Sequence, residues 1–131
     1  MTASSEFVSE AQEIVETFSR QLLAIEQDLR EGRDHDPDVL NAAFRSVHTL
    51  KGLAGLGGGG DIETLSHALE NTLDALRLGK LPFGQTTLDV LFEAVDLFAA
   101  LLAKSADDGA PGVDISQFVV RLDSLSVPGP E

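Results

Sequence analysis

Apolar side chains recur every three or four residues along most of this 131-residue chain. One such stripe begins at Phe7 and ends at Leu29, and another runs from Leu40 to Ala54. This spacing gathers apolar side chains on one face of an α-helix, whereas a half-buried strand would alternate them with polar ones. No alternating stretch and no internal repeat is evident in the sequence. The pattern therefore predicts an all-α protein in which each helix buries one face.

Five helices are predicted, at about residues 5–31, 37–56, 61–79, 85–105 and from 114 onward. Asp36 and Pro37 supply an N-cap and a proline at the first helical position of the second helix. Asp61 is expected to cap the third helix, and Gly79 to end it.

Short connections join these amphipathic segments. They favour an up-and-down four-helix bundle with an additional short C-terminal helix. Residues 1–126 are expected to form this single domain. Residues 127–131 contain two prolines and a glycine, and are expected to be the start of a linker or tail.

The composition narrows the class of function. A formal net charge of -13 repels nucleic acid and anionic membrane surfaces. The absence of cysteine rules out disulfides and thiolate chemistry, and is compatible with the cytoplasm. The first residues lack the basic and apolar regions of a signal peptide, and no apolar run approaches the roughly 20 residues that cross a bilayer. We expect a cytoplasmic location, no nucleic-acid partner and no membrane insertion.

One histidine on the second predicted helix has unusual neighbours. His48 lies on the margin of the apolar stripe, with Lys51 one turn away and Gly52 and Gly55 beside it. Glycine inside a helix costs roughly 1 kcal/mol relative to alanine, so two glycines beside one imidazole need a reason. They leave the ring uncovered, so that a large reactant can approach. An open imidazole beside a cation indicates a place where an anion is handled.

A geometric argument gives His48 a partner. In an antiparallel helix pair that turns near residue 59, residue 48 is level with residue 70. His48 and Glu70 each lie about 80° around their helix from the apolar stripe. We therefore expect Glu70 to accept a hydrogen bond from Nδ1–H of His48, which leaves Nε2 as a nucleophile. His67 precedes Glu70 by three residues and is expected to join this polar patch in a secondary role.

The segment His48-x-Leu50-Lys51-Gly52-x-Ala54-Gly55 resembles the phosphorylation-site motif of histidine phosphotransfer (HPt) domains. The residues from 67 to 79 continue the likeness. It is greatest to the N-terminal phosphorylation-site domain of CheA-type chemotaxis histidine kinases. The likeness covers about residues 5–125 in helix layout, and the specific motifs lie within residues 44–80.

This resemblance implies a phosphohistidine relay in a two-component, chemotaxis-like pathway. A CheA-type kinase catalytic domain, on the same or another chain, would deliver the γ-phosphoryl group of ATP to His48. The phosphohistidine would pass it to an aspartate of a CheY-like response regulator. Lys51 can neutralise part of the phosphoryl charge. Contacts to the partners are expected from Asn41, Arg45, Gly52 and Gly55.

No nucleotide, cofactor or metal site is expected in this domain. The kinase domain would use ATP and Mg²⁺, and the regulator would use Mg²⁺. The domain alone would be a phosphoryl carrier within a larger phosphotransferase. One alternative is a helical protein–protein interaction module without covalent chemistry, and another is an orphan HPt protein in a different phosphorelay.

Overall fold

A computed structural model describes residues 4–57, 60–107 and 109–125 of the chain. These ranges contain five α-helices and no strand: α1 Ser5–Arg30, α2 Pro37–Gly57, α3 Gly60–Arg77, α4 Gln85–Ala106 and α5 Ser116–Leu125. The predicted all-α class is confirmed. Residues 126–131, which include the predicted tail, and residues 58–59, at the centre of the predicted glycine turn, lie outside the described ranges.

Short polar side chains cap the starts of the first two helices. The Oγ atom of Ser4 accepts a hydrogen bond from the backbone N–H of Phe7 at 3.1 Å, at the start of α1. At the start of α2, a carboxylate oxygen of Asp36 accepts one from the backbone N–H of Asp38 at 2.9 Å. Both side chains satisfy N–H groups that have no partner within the first helical turn. The predicted cap of α2 is confirmed.

The start of α3 differs from the prediction. This helix begins at Gly60, so Asp61 lies inside its first turn and is not the residue that precedes the helix. Its negative charge there is favourable, because the N-terminus of a helix carries partial positive charge. The other end agrees better with expectation, since α3 ends at Arg77 and Gly79 adopts a φ of 74°, a left-handed conformation that glycine adopts readily.

The four long helices pack in a ring. α1 contacts α2 and α4, α2 contacts α3, and α3 contacts α4, while α5 packs against α3. The interior is filled by large apolar side chains that are almost completely buried, among them Phe18, Leu22, Leu50, Leu69, Leu91 and Phe98. The predicted four-helix bundle with a short additional helix is thereby confirmed. Within the described residues, no helix has the length and apolar character needed to span a membrane.

The pairing of α2 with α3 positions the polar site described below. Val47 and Leu50 of α2 are buried, as are Leu65 and Leu69 of α3, with 1% or less of each residue exposed. Buried aliphatic side chains of this kind each contribute about 1.5–3 kcal/mol relative to exposed ones. Because Val47 and Leu50 lie on either side of His48 in sequence, their burial places the helical backbone around His48 next to α3.

Candidate functional site

His48 projects from α2 at the edge of its contact with α3. Its side chain remains 64% exposed. The Nδ1 atom lies 2.6 Å from Oε1 of Glu70, which is the contact that the level-helix argument predicts. None of the described residues forms a hydrogen bond with Nε2. One ring nitrogen is therefore held by the protein, and the other is left accessible.

Glu70 joins two side chains of α2. While Oε1 faces His48, Oε2 accepts a hydrogen bond from Nζ of Lys51 at 2.8 Å. The carboxylate group is well covered, since only 10% of the Glu70 side chain is exposed. Both of its oxygens nevertheless have a partner, as a buried ionised carboxylate requires.

Two opposing influences set the pKa of Glu70. Burial acts to raise this pKa, whereas the hydrogen bonds from Lys51 and from His48, one each, together with the positive charge of Lys51, act to lower it. The lowering influences prevail, and the pKa of Glu70 lies below its ordinary value. An ionised carboxylate can only accept hydrogen bonds, so Nδ1 of His48 must carry the proton. In the neutral ring the lone pair is then on Nε2.

The family of this chain follows from a match that covers most of its length. The model of the Hpt domain family matches residues 3–106. The chain belongs to the Hpt domain family. Its fold is similar to the solution structure of the histidine phosphotransfer domain of CheA, with a TM-score of 0.80 and 32% sequence identity. That likeness covers 95% of this chain and 92% of the solved one.

Sequence relatives of this Hpt domain are much longer proteins. It is 36% identical over 117 residues to the chemotaxis protein CheA of Bacillus subtilis, with 89% of this chain aligned to 17% of that protein. It is 38% identical over 96 residues to the chemotaxis protein CheA of Rhizobium meliloti, with 71% of this chain aligned to 12% of that protein. The chain thus spans less than a fifth of either relative.

Lys51 is already engaged in this Hpt domain. Its side chain is 30% exposed, and its ammonium group is paired with Glu70. From the sequence we expected the ammonium to face a phosphoryl group on His48. In the structure its hydrogen bond and its charge instead act to lower the pKa of Glu70. A role toward the phosphoryl group therefore requires Lys51 to leave or share Glu70.

One neighbour of His48, and the side chain that stacks on that neighbour, were not identified from the sequence. The ring of Phe44, four residues earlier on α2, lies nearly parallel to the imidazole, with 6.4 Å between centroids and 8° between planes. The guanidinium carbon of Arg77 lies 4.4 Å from the centre of the Phe44 ring, within cation–π distance. Arg77 is also paired with Asp74 at 2.6 Å. The spacing of four between Phe44 and His48 was the available signal, but Phe44 was assigned only to the apolar stripe.

His67 is not brought into the network. It is exposed, and it makes no hydrogen bond or ion pair with the part of the chain that the structure describes. The structure thus joins His48, Lys51 and Glu70 by hydrogen bonds and leaves His67 as an exposed neighbour on α3. Nor do the described residues contain a group of three His, Asp or Glu side chains that could hold a metal ion.

The two glycines beside His48 have different surroundings. A Cβ atom added at Gly52 would have no atom within 4 Å outside its own helical turn. At Gly55 it would come within 2.6 Å of Oε2 of Glu63, an exposed side chain of α3. Gly52 therefore borders open space, as expected of an access route, whereas Gly55 makes room for the Glu63 carboxylate.

The remaining predicted contact residues flank the same side of α2. Asn41 is half-buried and Arg45 is exposed. Arg45 lines a shallow groove between α1 and α2, next to Glu13 of α1 and Thr49 of α2. Residues of α1 and α2 line this groove, and Thr49 directly follows His48, so a partner that reaches the imidazole can also contact α1.

Proposed function

We propose that this Hpt domain carries a phosphoryl group on Nε2 of His48, between an ATP-dependent CheA-type kinase domain and an aspartate of a CheY-like response regulator. One observation carries the proposal. The buried Glu70 carboxyl, whose pKa is lowered by its partners, holds Nδ1, and Nε2 has no hydrogen-bond partner among the described residues on a side chain that is 64% exposed. That arrangement produces an oriented and accessible nucleophile.

The phosphorylation step balances without a proton acceptor. The Nε2 lone pair attacks the γ-phosphorus of ATP, and an Nε2–P bond forms as the bond from phosphorus to the β–γ bridging oxygen breaks. ADP leaves with the electron pair of that bond. The proton on Nδ1 stays in place, so the ring acquires positive charge. Glu70 accepts the hydrogen bond from Nδ1 and stabilises this charge as it develops.

The return step reverses these roles. A carboxylate oxygen of the regulator attacks the phosphorus, the Nε2–P bond breaks, and His48 regains its neutral ring with the proton on Nδ1. Phosphoryl transfer depends mainly on alignment and charge neutralisation. This domain supplies an aligned nitrogen, and the partners are proposed to supply the nucleotide site and Mg²⁺.

The proposed partners are supported by the family and by relatives named as chemotaxis proteins CheA. Asn41, Arg45, Gly52 and Gly55 are the proposed contact residues, since they surround His48 on α2. The proposed chemistry at His48 is the same whether the kinase domain belongs to the same chain or to another one. A cytoplasmic location stays a prediction.

The test combines the purified domain with CheA-type kinase cores and γ-labelled ATP. We expect acid-labile, base-stable label on the wild-type domain and none on His48→Gln. His35→Gln is a matched control, because His35 lies in the loop between α1 and α2, where its ring packs against that of Phe83, and it should label normally. Both variants should keep the helical circular dichroism. No label with any kinase core would favour an interaction module, and label that persists in His48→Gln would refute the assignment.

A further inference from the structure

Phosphorylation would place two demands on one lysine. Lys51 is hydrogen-bonded to Oε2 of Glu70. A phosphoryl group on the neighbouring His48 would carry up to two negative charges and attract the same ammonium group. If Lys51 moved to that group, Oε2 would lose its donor while remaining shielded from solvent. A buried carboxylate oxygen without a donor is costly.

Ser66, four residues before Glu70 on α3, carries a hydroxyl that could act as a replacement donor. This residue of α3 is completely buried, and its Oγ atom is the one buried side-chain N or O atom in the described ranges without a hydrogen-bond partner. Other helical hydroxyls behave differently. Thr17, Thr64 and Thr72 each donate to the backbone carbonyl four residues earlier. Such local bonding is the usual solution for a hydroxyl within a helix, and Ser66 does not adopt it.

The helix places Ser66 within reach of Glu70. The two residues are four apart on α3, and side chains at that spacing are neighbours on one face. Helical side chains lean toward the N-terminus, so the longer glutamate side chain leans back over the turn that carries Ser66. Both residues are buried on α3, at 0% and 8% exposure. The unused hydroxyl and the shared carboxylate thus lie on one covered side of the helix.

We propose that Ser66 is a positioning residue that donates its hydroxyl to Oε2 of Glu70 when Lys51 turns to the phosphoryl group. The carboxylate then keeps two donors in both states: His48 and Lys51 before phosphorylation, His48 and Ser66 after it. Lys51 becomes available to the phosphoryl group without leaving Glu70 unsatisfied. This inference rests on the proposed role of His48 as phosphoacceptor.

The test measures an equilibrium, because a rate would also depend on docking to the kinase. With a CheA-type kinase core, ATP and ADP in fixed ratio, the ratio of phosphorylated to unphosphorylated domain is determined for each variant. Ser66→Ala loses a hydrogen bond in the phosphorylated state only, so the equilibrium constant for phosphorylation should fall by about tenfold or more. Unfolding midpoints of the unphosphorylated variants confirm that they fold.

Threonine and valine have the same shape, so replacing Ser66 with each of them separates the effect of the hydroxyl from the effect of side-chain shape. Ser66→Thr keeps a donor and should hold the equilibrium near the wild-type value, whereas Ser66→Val has the same shape without it and should behave like Ser66→Ala. Thr72→Val is the matched control, because this buried hydroxyl on α3 donates to the carbonyl of Ala68. Its equilibrium constant should not change.

The possible results distinguish the two hypotheses. Equal equilibrium constants for Ser66→Thr and Ser66→Val would overturn the role of Ser66, since a merely structural hydroxyl affects both states alike. In that case the wild-type domain still takes label on His48, and the proposed function stands. Absence of label on the wild-type domain would refute the proposed function itself, and this inference with it.

Discussion

Glu70→Ala is the perturbation that most directly tests the chemistry. The carboxylate accepts from Nδ1 of His48 at 2.6 Å and from Nζ of Lys51 at 2.8 Å, and its side chain is only 10% exposed. Alanine removes both contacts at once. The imidazole is then free to change tautomer and to rotate, and nothing compensates the positive charge that the ring acquires as the Nε2–P bond forms.

The magnitude follows from the bond that is lost. A hydrogen bond to a charged group contributes about 1.5–3 kcal/mol. If the bond from Nδ1 acquires its full strength only as the ring becomes charged, the phosphorylation rate falls by about 10- to 150-fold. The fold should survive, because Lys51 has a flexible chain that can extend its ammonium group into water. Glu70→Gln keeps an uncharged acceptor and should lose less rate than Glu70→Ala.

The assay is the initial rate of label transfer from γ-labelled ATP with a CheA-type kinase core, at saturating domain concentration. Circular dichroism and denaturant unfolding show whether each variant is folded. Glu93→Ala is the control, since Glu93 forms an exposed ion pair with Arg121 on the α4–α5 side of the bundle. A Glu70→Ala rate within twofold of wild type would show that the carboxylate does not orient the nucleophile.

Three further predictions concern His67, Lys51 and the two glycines beside His48. His67→Ala should reduce the phosphorylation rate less than Glu70→Ala, because His67 is exposed and lies outside the hydrogen-bonded network; a larger loss would reverse that ranking. In the wild type, the Glu70 contribution to stability is present above the unfolded-state pKa and is lost as the pH falls through the lowered folded-state pKa. Lys51→Met removes a donor that lowers this pKa. The free energy of unfolding, measured with denaturant, should therefore fall less between pH 7 and pH 3 than it does in wild type. An unchanged fall would contradict the role of Lys51 in lowering the Glu70 pKa. Gly52→Leu should slow transfer from the phosphorylated domain to a regulator by obstructing open space beside His48, with little change in unfolding midpoint since glycine is a poor helix former. Gly55→Leu should slow it too and also displace a glutamate of α3, and wild-type transfer rates in both would exclude the glycines as an access route.

The sequence alone was sufficient to predict the five helices and one side-chain contact between α2 and α3. Amphipathic periodicity identifies five segments, since burial of one face requires apolar residues every three or four positions. The pairing of His48 with Glu70 was also predictable. In antiparallel helices joined by a short turn, two residues that are equally far from the turn lie level with each other. Both of these side chains also lie beside the apolar stripe of their helix. The start of α3 was displaced by one residue, which is the usual precision of helix ends.

The tertiary structure determined how the remaining polar groups are shared. Whether Lys51 faces solvent or Glu70 depends on its rotamer and on the separation of α2 from α3. The stack of Arg77 on Phe44 and the place of Glu63 beside Gly55 depend on the same separation. Ser66 is an ordinary serine in the sequence, and only the packed bundle makes it a buried hydroxyl with no hydrogen-bond partner among the residues that the structure describes. Periodicity determines which face of a helix is covered, but the partner of each polar atom depends on distances of a few ångströms between helices that only packing sets.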